Sequence, residues 1–165
     1  MTSLDFNFAE PIASYEDSHD DDMDMSPEEV GSIKKSDYVV LNGRPAKVVE
    51  ATHSAPGKHG HSKVHMVAID IFTSRRYEDI SPSDRIIQVP HITKKDYLIV
   101  QIDRDGYITL LDEVTCKIRS DMKLNKESDV IRRLLDKHKS GNGQIKVTVL
   151  KALGEEQIIA FKDIA

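Results

Sequence analysis

The dipeptide Asn42-Gly43 constrains the fold of this chain more than any other local feature. Two short apolar runs, residues 37–41 and 44–51, flank it. A two-residue turn with positive φ at both positions matches the right-handed twist of a β-hairpin, and Asn-Gly is a preferred pair for it. The dipeptide therefore predicts that the two runs are antiparallel strands at the start of a β-rich domain.

The alternation of short strands and turns continues along the next part of the chain. We predict further strands at residues 64–72, 77–80 and 84–89. Five short strands within about sixty residues favour a small SH3-like barrel. Pro90 follows the last strand and cannot donate to a strand ladder, so we end this first domain, residues 31–90, at that proline.

A second β-unit is predicted for residues 91–165. Its elements, in order, are strands at 97–102, 107–111 and 115–119, a helix at 128–139 that stops before Gly141, and strands at 144–150 and 157–161. Five strands with one helix inserted after the third are typical of an OB-fold, a barrel that often binds oligonucleotides. The predicted fold class is therefore mostly β, with an N-terminal SH3-like barrel and a C-terminal OB-fold.

Charge is distributed unevenly along the chain, whose formal net charge is −5. Residues 1–30 contain ten acidic side chains and no Lys or Arg, which leaves 18 acids against 23 bases in the remainder. We predict that residues 1–30 form a disordered acidic arm, because such a segment buries too little apolar surface to order itself. The folded remainder is mildly basic and suits an RNA partner better than the total charge suggests.

Cysteine usage and hydropathy indicate the compartment. The single Cys116 cannot form an internal disulfide, which fits a reducing environment. Apolar runs stay well below the roughly 18 residues that a membrane span needs, and the first residues lack a signal-peptide pattern. We therefore predict a cytoplasmic protein without a membrane span.

Residues 54–63, which read Ser-Ala-Pro-Gly-Lys-His-Gly-His-Ser-Lys, present one lysine between two glycines. Gly57 and Gly60 lack side chains and build a bare tip, so Lys58 is the only long side chain there. We call residues 55–62 the lysine loop. A lysine presented in this way predicts either an enzyme that modifies it or a polyanion that it contacts.

Other chemistries fit the loop less well. A phosphate-binding P-loop needs glycine at the position of Thr52 and Ser or Thr at that of His59. His59 and His61 have a spacing found in some zinc sites, but no cysteine lies near and the local carboxylates are poorly spaced, so we predict no metal. Cys116 has no histidine beside it and is interpreted as a small core residue, so the sequence indicates no enzyme active site.

Two further sets of residues are possible RNA contacts, the strand tyrosines and a group of basic residues. We interpret the strand tyrosines as packing within the barrels rather than stacking on bases; they are Tyr38, Tyr77, Tyr97 and Tyr107. If the strands bring them to one end of the first barrel, five basic residues would form a phosphate-facing patch with Lys58. These RNA-contact candidates are Lys34, Lys35, Arg44, Lys47 and Lys63.

The loop and its surroundings resemble a known family. The run from Pro56 to His65, with Asp70-Ile71-Phe72-Thr73 and Tyr77-Glu78-Asp79-Ile80, strongly resembles eukaryotic translation initiation factor 5A. The resemblance covers roughly residues 30–165, and its Gly-Lys-His-Gly-His core is highly specific. One departure is Pro56, which stands where the family usually has threonine.

This resemblance implies a modified lysine. Deoxyhypusine synthase would transfer an aminobutyl group from spermidine to Lys58, gripping the loop at Gly57, His59, Gly60 and His61, and deoxyhypusine hydroxylase would complete hypusine. The implied activity is that of a ribosome-binding factor, not an enzyme. Its hypusine would reach the peptidyl-transferase centre, stabilise peptidyl-tRNA beside ribosomal RNA, and promote elongation at proline runs and termination.

Two alternatives stay open from the sequence. One is a tandem-barrel RNA-binding protein with an unmodified loop. The other is a self-assembling structural protein of the Woronin-body type, which shares the two-barrel fold but lacks the modifiable lysine.

Overall fold

The computed structural model describes residues 24–55, 57, 60–141 and 143–164. Eleven strands and one α-helix account for most of them. The first six strands are β1 (Met25–Glu29), β2 (Tyr38–Leu41), β3 (Arg44–Ser54), β4 (Lys63–Asp70), β5 (Arg76–Pro82) and β6 (Ile86–Pro90). The remaining elements are β7 (Thr93–Ile102), β8 (Tyr107–Leu111), β9 (Ile118–Lys123), α1 (Asp129–Lys139), β10 (Gln144–Ala152) and β11 (Glu155–Ile164).

The first barrel combines a four-stranded sheet of order β2-β3-β4-β5 with the two-stranded ribbon of β1 and β6. All of these strand pairs are antiparallel. Asn42 and Gly43 have φ of 52° and 72°, the positive values that the predicted hairpin turn requires. One apolar cluster, which includes Val39, Val48 and Met66, fills the space between the sheet and the ribbon.

Strand β1 corrects the predicted extent of the acidic arm. The charge pattern places residues 25–29 in that arm, but they pair with β6 over five residues, from Met25 against Pro90 to Glu29 against Ile86. The part of the predicted arm at residues 1–23 lies outside the described residues. The strand continues into a 3-10 turn at Val30–Ser32, whose Val30 side chain is fully buried in the first core. Pairing with β6 and burial of Val30 therefore order a segment whose composition is unfavourable for a strand.

The second barrel is one five-stranded antiparallel sheet of order β11-β10-β7-β8-β9. Arg119 on β9 donates to Glu156 on β11 at 2.7 Å and so joins the two outer strands of that sheet. Helix α1 buries Ile131 and Leu134 in a second core, separate from the first. Gly141, with φ of 76°, follows the helix where the predicted stop lies.

The predicted fold class, a mostly β chain with two successive barrels and one inserted helix, is confirmed. Two further local predictions are wrong, those for Cys116 and Tyr107. Cys116 lies in a turn ahead of β9 rather than in a strand, its φ is 57°, and its side chain is exposed rather than part of the core. The tyrosine interpretation holds for the buried Tyr97 but not for Tyr107, which is 42% exposed.

Candidate functional site

The lysine loop joins the far ends of β3 and β4. Ser54 is the last residue of β3, Lys63 is the first residue of β4, and the two are paired. The loop therefore begins where this strand pair ends. The Gly60 N–H donates to the Gly57 carbonyl at 3.1 Å, which brings together the two glycines on either side of Lys58 in the sequence. Gly57, Gly60 and His61 are exposed, whereas Pro56, Lys58 and His59 lie outside the described residues.

A chain of hydrogen bonds fixes the base of this loop. The Ser54 hydroxyl donates to the Lys63 carbonyl at 3.2 Å and ties the two limbs together. The Ser83 N–H donates to the Ser62 carbonyl at 2.9 Å, and the Gly31 N–H donates to the Ser83 carbonyl at 2.8 Å. The loop is therefore anchored through the turn after β5 to the 3-10 turn that follows β1.

Gly57 in the loop and Gly31 in the 3-10 turn that anchors it differ in their surroundings. Among the residues that the structure describes, a Cβ atom at Gly57 would meet no heavy atom within 4 Å, so none of them covers this point of the loop. A Cβ atom at Gly31 would lie 3.1 Å from both the Cβ and the carbonyl oxygen of Ser83. The missing side chain at Gly31 thus permits the close approach that anchors the loop.

The basic candidates do not gather at one end of the first barrel. Lys63 lies at the loop base, opposite Ser54. Lys47 pairs with Ile69, seven residues back along β3, and its ammonium lies 5.9 Å from the centre of the Tyr38 ring. Lys34 and Lys35 are exposed in the segment between the 3-10 turn and β2.

Arg44 is at the opposite end of β3 from the loop, ten residues from Ser54 and thus about 30 Å away along the strand. Its Nε donates to the Asp70 carboxylate at 2.8 Å, and its Nη1 donates to Glu155 of the second barrel at 2.8 Å. The two carboxylates raise the pKa of Arg44. This guanidinium therefore joins the two barrels, so the premise of a single basic patch at the loop end does not hold for it.

Asp70 completes this contact from inside the first barrel. Burial raises the pKa of its carboxyl, but hydrogen bonds from Arg44 and from the backbone N–H groups of Phe72 and Thr73 lower it more, and the resulting pKa is about 2. Its side chain is fully buried. Asp70 is thus a charged carboxylate that fixes both the turn after β4 and the position of Arg44.

The described histidines near the loop, His53, His61 and His65, do not share a common partner. His65 Nε2 lies 2.5 Å from the Glu78 carboxylate on β5, and this hydrogen bond is the main cause of a lowered pKa at Glu78. His53 and His61 are exposed. Across the described parts of the chain, no three His, Cys, Asp or Glu side chains are grouped as metal ligands would be.

The sequence analysis did not identify Gly31 and Ser83, which support the loop, or Glu155, which binds Arg44 across the two barrels. Gly31 and Ser83 carry no motif, and their contact appears only when β1 is paired with β6. Arg44 and Glu155 are 111 residues apart, so their ion pair has no local signal. The only available hint was a lone Asp70 at the end of an apolar strand, since a buried carboxylate needs a cation.

No helix in the described residues is long and apolar enough to cross a membrane.

Comparison with known proteins gives a consistent result along both barrels. Residues 24–85 match the family model described as "Translation initiation factor 5A-like, N-terminal". Residues 91–162 match the model described as "Eukaryotic elongation factor 5A hypusine, DNA-binding OB fold". Together these matches cover most of the chain.

Individual relatives agree with the family models. The chain is 44% identical to eukaryotic translation initiation factor 5A-4 of Solanum tuberosum over 138 residues, which are 84% of this chain and 86% of that protein. It is also 44% identical over 138 residues to eukaryotic translation initiation factor 5A-1 of Arabidopsis thaliana, with the same coverage. A solved structure of a translation initiation factor of this family from Naegleria fowleri superposes with a TM-score of 0.75 at 35% identity, covering 84% of this chain and 98% of that one. The resemblance seen in the sequence is confirmed.

Proposed function

Because the chain belongs to the eukaryotic translation initiation factor 5A family of translation factors, we propose that it acts on the ribosome through a hypusine at Lys58. The observation that carries the proposal is the intact Gly57-Lys58-His59-Gly60 sequence at the connection between β3 and β4. The surroundings of Gly57 support it, because no side chain of the described residues covers the backbone that a modifying enzyme would approach there.

Lys58 has two successive partners in this proposal. Deoxyhypusine synthase grips the loop at Gly57, His59, Gly60 and His61 and transfers the aminobutyl group of spermidine, and deoxyhypusine hydroxylase completes the modification. The product is a longer arm with two amines, which donates charge-assisted hydrogen bonds to RNA phosphates. The anchored loop base favours this use, because only the tip has to project from the barrel.

The modified factor binds beside peptidyl-tRNA and extends hypusine toward the peptidyl-transferase centre. There it holds the tRNA in position at stalling sequences such as proline runs and during termination, which is an effect of proximity and orientation. The ribosome carries out the bond chemistry, so the factor is not an enzyme, and its place of action is the cytoplasm.

Four lysines are proposed as further contacts to ribosomal or transfer RNA. Lys63 is nearest to the loop tip and would meet phosphates next to hypusine, and the others would contact phosphates farther away; they are Lys34, Lys35 and Lys47. Arg44 is not included, because its guanidinium is already bound to two carboxylates.

The peptide mass of the lysine loop tests the proposal. Protein purified from its native source is digested, and the peptide that contains Lys58 is expected to carry the mass increment of hypusine. An unmodified lysine in native protein would instead support the tandem-barrel RNA-binding alternative. Protein produced in bacteria, where the modifying enzymes are normally absent, serves as the unmodified control.

A further inference from the structure

Two adjacent lysines stand on an ordered turn of the first barrel. The Lys34 N–H donates to the Asp37 carboxylate at 2.8 Å, and the Asp37 N–H donates back to the Lys34 carbonyl at 3.1 Å. The Ser36 N–H donates to the Val48 carbonyl of β3 at 2.8 Å. These hydrogen bonds fix the backbone of the turn, while Lys34 and Lys35 are exposed. We call Lys34 and Lys35 the lysine pair.

No described carboxylate neutralises the lysine pair. Among the ion pairs of the described residues, none includes Lys34 or Lys35. The carboxylate nearest in sequence, that of Asp37, accepts from a backbone N–H of the same turn. Three lysines of the second barrel, in contrast, bind carboxylates; they are Lys95 with Asp112, Lys137 with Asp163, and Lys146 with Glu113. The lysine pair is therefore available to an anion from outside the described residues.

A groove lies beside the lysine pair at the boundary between the barrels. Ile33 and Ser36, which flank the pair in the sequence, line this groove of about 490 Å³ together with Val89, Pro90 and His91. We call it the boundary groove. One part of its wall is thus the turn that carries the lysine pair, and another is the end of β6 with the residue that follows.

The described chain begins at the same groove. The His91 N–H donates to the Asp24 carbonyl at 2.8 Å, and Met25 pairs with Pro90. Because Pro90 and His91 line the boundary groove, the segment that precedes Asp24 starts there. Residues 1–23 themselves lie outside the described residues.

That segment carries acidic residues close to this starting point. Residues 16–22 read Glu-Asp-Ser-His-Asp-Asp-Asp and contain five carboxylates and no Lys or Arg. We call them the acidic run. A chain spans at most about 3.5 Å per residue, so Asp22 is within about 7 Å of Asp24, and Glu16 within about 28 Å. The connection is thus long enough for the acidic run to cover the lysine pair.

The covalent connection compensates for the weakness of such a contact. An isolated ion pair at a protein surface contributes little to stability, because solvent and salt screen it. Two groups joined by a short linker, however, meet at an effective concentration in the millimolar range. Five carboxylates beside two ammonium groups also allow many equivalent pairings, so the contact does not require one fixed conformation of the run.

We propose that the acidic run binds the lysine pair within the same chain and competes there with RNA phosphates. Charge and position select this occupant, because the run is anionic, starts beside the boundary groove, and meets two cations without a described counter-ion. The inference rests on the proposed function in one respect, since Lys34 and Lys35 are two of the RNA contacts proposed there.

The competition makes the factor more selective for the ribosome. A short RNA gains only a few phosphate contacts and has to displace the acidic run to gain two of them. The ribosome engages the factor at several points at once, and the combined affinity of these points displaces the run. The acidic run therefore weakens binding to other RNA more than binding to the ribosome.

NMR spectroscopy tests the contact without any RNA. In the full-length chain, the run is neutralised by Glu16→Gln, Asp17→Asn, Asp20→Asn, Asp21→Asn and Asp22→Asn. We expect the side-chain signals of Lys34 and Lys35 to shift. The signals of Lys126 and Lys139, two exposed lysines of the second barrel, should stay in place. Unchanged signals of the lysine pair in the neutralised variant would overturn the inference.

A double-mutant cycle tests the competition, with a fluorescently labelled single-stranded oligouridine as the probe. Neutralising the run should raise the affinity for this RNA about five-fold at low salt. It should also steepen the dependence of log affinity on log salt by about 1.4, the value for two additional phosphate contacts on a single strand. In a chain that carries Lys34→Gln and Lys35→Gln, the same neutralisation should have little effect.

Controls separate a local contact from the overall charge. Asp5→Asn with Glu10→Gln removes two acids that lie farther from the boundary groove along the chain, and it should leave the affinity nearly unchanged. An equal gain from neutralising the run with and without the lysine pair would show that only the total charge matters. That result would overturn the competition.

The outcomes separate this inference from the proposed function. If oligouridine binds the neutralised chain equally well with and without the lysine pair, the proposed RNA contacts at Lys34 and Lys35 fail, and the competition fails with them. If those contacts exist but neutralising the run changes neither the lysine signals nor the affinity, the inference alone fails. The hypusine at Lys58 is tested by peptide mass and is unaffected by either result.

Discussion

At the scale of single residues, a substitution at Lys58 tests whether a positive charge at this position is sufficient for function or whether a modifiable amine is needed. Lys58→Arg keeps a positive charge in the lysine loop but removes the primary amine that would accept the aminobutyl group in the proposed modification. We expect this variant to fold normally, to remain unmodified, and to fail to support synthesis of proline-rich proteins. The measurement is translation of a reporter with a proline run in an extract depleted of the native factor, with a reporter lacking the run as control. Full activity of the arginine form would show that charge alone is sufficient.

Asp70 gives a prediction about pH. The pKa of its carboxyl is about 2 in the folded chain against an ordinary value of 3.8, so the charged form stabilises the fold above about pH 4. That contribution, about 2 kcal/mol, is lost as the pH falls through 2. Asp70→Asn should therefore lower the free energy of unfolding at pH 7 by at least this amount, since it also leaves Arg44 without its buried partner.

Urea denaturation between pH 7 and pH 2 checks this expectation. The difference between Asp70→Asn and the unaltered chain should shrink as the pH falls below 4. Asp84→Asn serves as the matched control, because Asp84 is exposed and the substitution should have little effect at any pH. A difference that stays constant over the whole range would show that the Asp70 charge does not stabilise the fold.

At the scale of structural elements, the 3-10 turn after β1 supports the lysine loop. Gly31→Ala would add a Cβ atom 3.1 Å from Ser83, whose N–H holds the Ser62 carbonyl at the loop base. We expect faster hydrogen exchange at the Ser83 amide, a slower reaction with deoxyhypusine synthase, and a loss of about 1 kcal/mol in stability. Ser32→Ala is the control, because the hydrogen bonds of the Ser32 hydroxyl to described residues go to Glu28 and Glu29 and not to Ser83. Unchanged exchange at Ser83 would contradict this support.

The elements also show where sequence patterns suffice and where they do not. Turn residues such as Asn42-Gly43 and Gly106 fix hairpins locally, so the strands beside them were predictable to within a few residues. Strand β1 was missed because its sequence, Met-Ser-Pro-Glu-Glu, has poor strand propensity and is ordered by its partner. Cys116 was misplaced because the buried Asp112 organises a turn there, and hydrogen bonds from an aspartate to later backbone groups leave no hydropathy pattern.

The candidate site shows the same limit. The place of the lysine loop between two strands could be predicted, because the residues that mark it, with Gly57 and Gly60 at its tip, are contiguous in the sequence. The binding partner of Arg44 could not be predicted. A basic residue in a strand can bind either phosphate or carboxylate, and its carboxylate partner Glu155 lies 111 residues later in the sequence. A motif of contiguous residues can thus be recognised in the sequence, whereas the tertiary structure determines which anionic group binds a given basic side chain.

At the scale of the whole molecule, Arg44 couples the two barrels. Arg44 binds Asp70 of the first barrel, whose side chain is fully buried, and Glu155 of the second barrel, whose side chain is 45% exposed. Solvent therefore screens the ion pair with Glu155 but not the ion pair with Asp70. Glu155→Gln should therefore cost less than about 1 kcal/mol in stability. It should nevertheless loosen the relative orientation of the barrels, because the charged link across their boundary is removed.

Residual dipolar couplings can separate these two effects. In the unaltered chain we expect one alignment tensor to describe both barrels, and in Glu155→Gln we expect two different tensors while each barrel keeps its own couplings. High salt should shift the unaltered chain toward the variant, because the exposed half of the contact is screened. Glu50→Gln, at an exposed carboxylate on β3, should leave the common tensor intact. A common tensor in both variants would mean that other contacts hold the barrels together, and the distance between the lysine loop and the second barrel would then be set without Arg44.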